Sequence, residues 1–266
     1  APPDLIRAMA KEKSVDLSRI FDADGGYAYR DFNHFLSVYE AATSVLTSPE
    51  DYARLTAAVL EESAAQGVVY TESFISPDFC GGGDLGAAET VGDFVTGFGL
   101  AGDEMAGKPG DFAYAFDMAR EAGLRLTCHA GEWGGADSVR DAVRDLRVER
   151  IGHGVQAIED PGLVDQLAED GITLECCPGS NVFLGVFPNW RAHPIEKLRQ
   201  KGVKVTVSTD DPPFFHTTMT REYEMLSETF GWDDEIFAEV TRNALDAAFC
   251  DADTRAKIAK KLEPAA

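Results

Sequence analysis

Through its second half the chain repeats one pattern: a short apolar run rich in Val, Ile, Leu and Thr, a loop, then an amphipathic helical stretch. The apolar runs are residues 124–129, 150–153, 172–176 and 204–208, and helical periodicity follows each at 136–146, 161–170, 194–201 and 217–230. Gly123, Gly171 and Gly202 stand between a helical stretch and the next run, where a helix end calls for a left-handed residue. Runs 68–74 and 94–100 fit the same scheme earlier in the chain. Before the first of them a helix is bracketed by Ser48 as its cap, Pro49 at its first position and Gly67 at its close.

Strand alternating with helix means a parallel sheet with helical crossovers. The expected fold is therefore α/β, a (β/α)8 barrel of the TIM type, forming one domain over residues 1–266 with two extra helices at 233–262. Such a barrel has eight strands and the pattern supplies six. Between Pro77 and Phe94 lie only 16 residues, five of them glycine, whereas a parallel crossover needs about a dozen or more residues that normally include a helix. The expectation is that the first and third strands are missing, one before Ala1 and one near Ala88–Glu89.

In parallel barrels chemistry gathers at the C-terminal ends of the strands. There this sequence places Cys128-His129-Ala130-Gly131-Glu132, Gly152-His153-Gly154, Thr209-Asp210-Asp211-Pro212 and Ala101-Gly102-Asp103-Glu104. Two histidines, a glutamate, an aspartate pair and a loop glycine suit metal-assisted hydrolysis. Imidazole and carboxylate bind zinc, zinc makes water a nucleophile near neutrality, and a further carboxyl can deliver a proton. No Lys or Arg occurs in 99–104, 128–135, 152–156, 176–188 or 208–218, which disfavours a phosphorylated substrate and favours a neutral one. A net charge of −22 argues against nucleic acid and anionic membranes as partners. The five cysteines show no CxxC pair, which suits a reducing cytoplasm, and no signal-peptide pattern opens the chain.

HAGE at 129–132, RIGHG at 150–154, LAGDE at 100–104, STDDP at 208–212 and CPGSN at 177–181 resemble the adenosine deaminase family, in that family's order and over nearly the whole chain. The resemblance implies a barrel with one zinc that hydrolyses adenosine and 2′-deoxyadenosine to the inosine product and ammonia. It makes His129 and Asp210 zinc ligands, with Asp210 also holding the attacking water. It makes Glu132 the acid that protonates purine N1 and His153 the group that orients that water. It makes Asp211 and Gly102 contacts to purine N7 and N3. The family's His-x-His pair is absent, so two further histidine ligands are expected in the missing first strand.

His34 reads as surface or packing, His193 before Pro194 as a structural cap, and Glu72 as a possible support at a strand end. Phe183, Phe187, Trp190, Phe214 and Phe215 could wall a purine pocket or be ordinary core. Two alternatives remain open at this point: a deaminase of another 6-aminopurine, such as adenine or a modified nucleoside, and a purine-binding barrel without catalysis. The residues carry no reading of oligomeric state.

Overall fold

The computed structural model describes residues 1–75 and 95–262. Five strands form one sheet: β1 (Gly97–Leu100), β2 (Arg125–Ala130), β3 (Arg150–His153), β4 (Thr173–Cys176) and β5 (Lys204–Val207). All pairings are parallel and the order is β1-β2-β3-β4-β5. Each strand lies beside its predecessor, with no reversal of direction. This is the winding of a barrel wall rather than of an open doubly wound sheet.

Strand parity sorts the side chains into two rows. Cys128, Ile151, Leu174 and Val205 are register partners across four strands, and all four are completely buried in the hydrophobic cluster with Leu146, Leu167, Ile195 and Leu198 of the connecting helices. One residue further along lies a second row, His129, Gly152, Glu175 and Thr206. Successive side chains alternate in direction, so this polar row faces away from the helices. Glu175 accepts a hydrogen bond from the Thr127 hydroxyl at 2.9 Å and pairs with Arg150 at 3.0 Å.

The contacts divide the chain into two compact units: residues 1–94 with 211–219, and residues 95–210 with 220–266. The sheet belongs to the second. In the first, the helix Pro49–Ala65 starts with a reciprocal capping box between Ser48 and Asp51, and Gly67 follows it with φ of +78°. Tyr27 stacks on Phe214 at 4.0 Å, and Phe35 meets Phe214 edge-on at 5.3 Å. Phe214 and Phe215 are therefore core residues of that unit.

The helix at Pro161–Asp170 has the expected limits, with Asp160 capping its start and Gly171 closing it at φ of +68°. Helices Asp234–Ala247 and Ala252–Lys261 are capped by Asp233 and Asp251 as expected. Residues 68–74 are a correction. They form no strand, Val69 and Phe74 are about half exposed, and Glu72 accepts a bond from the Tyr70 hydroxyl. β propensity alone does not make a strand without a neighbouring backbone to receive its N–H and C=O groups. The expected omission near Ala88–Glu89 lies outside the described residues.

Among the described residues no helix is long and apolar enough to cross a membrane. Cys128, Cys176, Cys177 and Cys250 are free thiols, the first three buried.

Candidate active site

The ends of all five strands of the second unit contribute to one cluster of side chains. After β1 the chain turns through Gly102 at φ of +113°, exposed and with open space where a Cβ would be, and reaches Glu104. The Glu104 carboxylate accepts from the backbone N–H of Gly131, from those of Glu132 (3.0 Å) and Trp133 (2.7 Å), and from the Ser138 hydroxyl (2.5 Å). Burial alone would raise its pKa; the Ser138 hydroxyl and the N–H groups of Trp133, Gly131 and Gly134 outweigh that and hold it below the ordinary carboxylate value. An ionised Glu104 thus fastens the loop that carries Glu132.

His129 lies near the end of β2 and is partly buried. Burial, and next the neighbouring His153, push its pKa down, so it is a neutral imidazole. Its register partner Gly152 leaves it room, because a Cβ on Gly152 would come within 2.8 Å of His129 Nδ1. The next residue, His153, has φ of +60° and sets its ring 5.1 Å from that of His129. At the end of β5, Asp210 has φ of +58°. Left-handed backbone is unusual for residues other than glycine and tends to mark functional positions. Here it occurs at the ends of β3 and β5, and the Asp210 carboxylate lies 3.9 Å from His153 Nε2.

Methylation of Gly152 tests this packing. Gly152→Ala is expected to destabilise the protein by about 1–3 kcal/mol through overpacking and to displace His129. Denaturant unfolding reads the first effect and metal stoichiometry the second. An unchanged midpoint with full metal loading would show that the missing side chain is not what seats the ring.

After β4 the short helix Pro178–Phe183 brings in Ser180 and Asn181, both completely buried. The Ser180 hydroxyl donates to Asp210 Oδ2 at 2.7 Å. The Asn181 amide donates to Glu132 Oε1 at 2.9 Å and contacts His153 Nδ1 at 3.2 Å. Beneath this helix the buried Glu222 accepts the Gly179 N–H at 3.0 Å, so close that a Gly179 Cβ would stand 2.1 Å from its Oε1. The Glu132 carboxyl is pushed up to about 8, first by burial and second by the charge of Asp210. It therefore carries a proton at neutral pH.

The structure thus brings together His129, Glu132, His153 and Asp210. Asp211 follows Asp210 in the chain but belongs to the other compact unit, where its carbonyl accepts from the N–H groups of Phe214 and Phe215. Gly102 stands on an open loop with none of these residues against it. Ser180, Asn181 and Glu104 occur in the quoted motifs, yet sequence reasoning assigned them no role. Their signal was position alone: each follows a strand end.

The donor set fits a divalent metal. His153, Cys177 and Asp210 offer ligand atoms within 4.8 Å of one another, and His129 adds a neutral imidazole beside them. Burial raises the Cys177 thiol well above its usual range, which favours the imidazole and carboxylate donors.

A buried acid still protonated at pH 7, with an aspartate and two imidazoles at the mouth of a parallel sheet, defines a metal-assisted hydrolase. Comparison narrows the class. The family model for adenosine deaminase matches residues 16–94 and 87–265, so the chain belongs to the adenosine deaminase family. An adenine deaminase of Rhizobium rhizogenes is 43% identical over 306 aligned positions, which take in 98% of this chain and 95% of the relative. The alignment is longer than the 266-residue chain, so the relative carries residues without a counterpart here. Among solved structures, adenine deaminase from Arthrobacter aurescens superposes with a TM-score of 0.83 at 25% identity, covering 98% of this chain and 94% of that one. An amidohydrolase from Burkhoderia ambifaria with bound zinc gives 0.84 at 26% identity, covering 99% and 86%. The chain is thus a hydrolytic deaminase with the barrel fold of that family.

Proposed function

We propose that this protein is a zinc-dependent adenine deaminase that converts adenine and water to hypoxanthine and ammonia. The observation that carries the chemistry is Glu132, a carboxyl kept protonated first by burial and second by the nearby Asp210. The choice of adenine rests on the 43% identity to an adenine deaminase over almost the whole chain. Adenosine, which the motifs suggested first, becomes the competing substrate.

His129 and Asp210 are the residues that would hold zinc. Zinc would polarise water and make it a nucleophile near neutral pH. Glu132 places its proton on purine N1, which makes C6 electrophilic. Water oxygen bonds to C6 and gives up both its protons, one to the departing amino group and one back to Glu132, so that the C6–N6 bond breaks and the amino group leaves as ammonia. His153 and Asp210, held 3.9 Å apart, orient the attacking water between them. The Ser180 hydroxyl fixes the Asp210 carboxylate in one rotamer. Asp211 and Gly102 are proposed as purine contacts. The same reading takes residues 1–266 as one metal-dependent hydrolase domain acting in the cytoplasm on a small purine, with neither nucleic acid nor membrane as partner.

The deciding assay follows loss of the 6-aminopurine absorbance with adenine, adenosine and 2′-deoxyadenosine in parallel. Turnover of adenine well above that of either nucleoside is expected. Faster nucleoside turnover would reverse the substrate assignment. Stoichiometric metal with no turnover of any of the three would point to another 6-aminopurine, and no turnover without bound metal would favour the purine-binding reading.

A further inference from the structure

Behind the candidate active site a buried chain of hydrogen bonds has a direction, and one backbone N–H sets it. Ile195 opens the helix Ile195–Gln200, and its N–H is one of the donors that a helix start leaves without an intrahelical partner. It donates to His193 Nδ1 at 3.3 Å. That nitrogen must be an acceptor, so the single ring proton of neutral His193 sits on Nε2. Burial lowers the His193 pKa to about 3, which keeps the ring neutral through the working pH range.

His193 Nε2 lies 3.1 Å from Asn181 Oδ1. A donor there fixes the amide so that its NH2 group points the other way, at Glu132 Oε1 (2.9 Å) and His153 Nδ1 (3.2 Å). An NH2 group has two protons and no acceptor capacity, so each proton meets one acceptor. Two consequences follow. His153 accepts at Nδ1 and carries its proton on Nε2, the nitrogen 3.9 Å from Asp210. Glu132 accepts at Oε1 and keeps its acid proton on Oε2. Reversing the amide would reverse both, because Oδ1 would then demand a proton from Glu132 Oε1 and from His153 Nδ1.

We propose that His193 is a positioning residue that, acting through Asn181, fixes which nitrogen of His153 and which oxygen of Glu132 carry the proton. His193 touches no reacting atom. It makes His153 Nε2 a donor and hence unsuited to bind a metal, which leaves His129 and Asp210 as the ligands. Its influence on turnover rests on the deaminase reading above, whereas the tautomer assignment does not.

The test is 15N-histidine NMR of the full chain, metal-free and zinc-loaded, beside steady-state kinetics. In the parent protein His153 and His193 are both expected as pure Nε2–H tautomers. His193→Phe keeps the ring volume and removes the donor. It is expected to turn His153 into a tautomer mixture and to lower kcat by about 10- to 100-fold with KM little changed. His193→Gln, which offers an N–H at a similar reach, is expected to restore the pure tautomer and most of kcat. Should His193→Phe fail to fold, Asn181→Asp serves instead, since a carboxylate has no proton for His153 Nδ1 and should drive the ring proton onto that atom. An Nδ1–H tautomer for His153 in the parent protein, or an unchanged His153 signature in both His193→Phe and Asn181→Asp, overturns the proposal. The spectra decide it whether or not adenine is the substrate.

Discussion

Glu132→Gln is expected to give a folded, metal-binding protein whose kcat for 6-aminopurine deamination falls by about 10²- to 10⁴-fold, the range lost when a general acid is removed. Glutamine preserves the shape of the side chain and can still accept from Asn181, but it has no acid proton to give. The pH profile supplies a second readout. The folded-state pKa of Glu132 is about 8, against 4.5 for a free glutamate. The acid form therefore persists across neutrality, and activity should fall as pH rises through about 8. Stability carries the same signature with a definite sign. Between the two pKa values the native state binds a proton that the unfolded chain does not, so the contribution of this group diminishes as pH rises across that window. In metal-free protein the parent should lose stability from pH 5 to pH 8 relative to Glu132→Gln. Parallel stability curves, together with undiminished turnover in the variant, would remove Glu132 from the mechanism.

Asp210→Asn should have an effect of similar size for a different reason. The backbone there is left-handed, a conformation that asparagine tolerates as well as aspartate, so the fold should survive. What changes is charge. An amide is a poor zinc ligand, it offers the Ser180 hydroxyl a weaker acceptor, and it no longer faces His153 as an anion. Loss of the metal withdraws several kcal/mol of charge stabilisation, so turnover should fall by about a thousandfold or more, and bound zinc should drop below one per chain. The same change should lower the Glu132 pKa, since the Asp210 charge is the second cause of its elevation. A variant with full zinc and near-parental turnover would show that Asp210 is not a ligand.

The strand–helix rhythm was legible because parallel strands covered on both faces read as apolar runs, and β3 falls on residues 150–153 as expected. His129, Glu132, His153 and Asp210 could be grouped before any coordinates, since strand ends of one parallel sheet must lie side by side. The run 68–74 misled because its residues suit a strand, while strand formation depends on a partner that local sequence does not reveal. Asn181 and His193 escaped for a deeper reason. His193 was legible as a residue of the helix start, where its Nδ1 accepts the Ile195 N–H, but its opposite nitrogen meets Asn181, on the short helix after β4, only in the folded chain. Asp211 shows the limit of adjacency: one peptide bond separates it from Asp210, yet its packing is with another part of the chain.

The two rows of the sheet have a consequence for assembly. Cys128, Ile151, Leu174 and Val205 alternate strictly with His129, Gly152, Glu175 and Thr206. A slip of one residue in any pairing would turn a polar side chain into the helix-covered layer and an aliphatic one out of it. A pairing slipped by one residue therefore builds neither the core nor the site. The interactions that make this sheet stable are the ones that select its register, so the burial that builds the core also decides which side chains stand on the polar face.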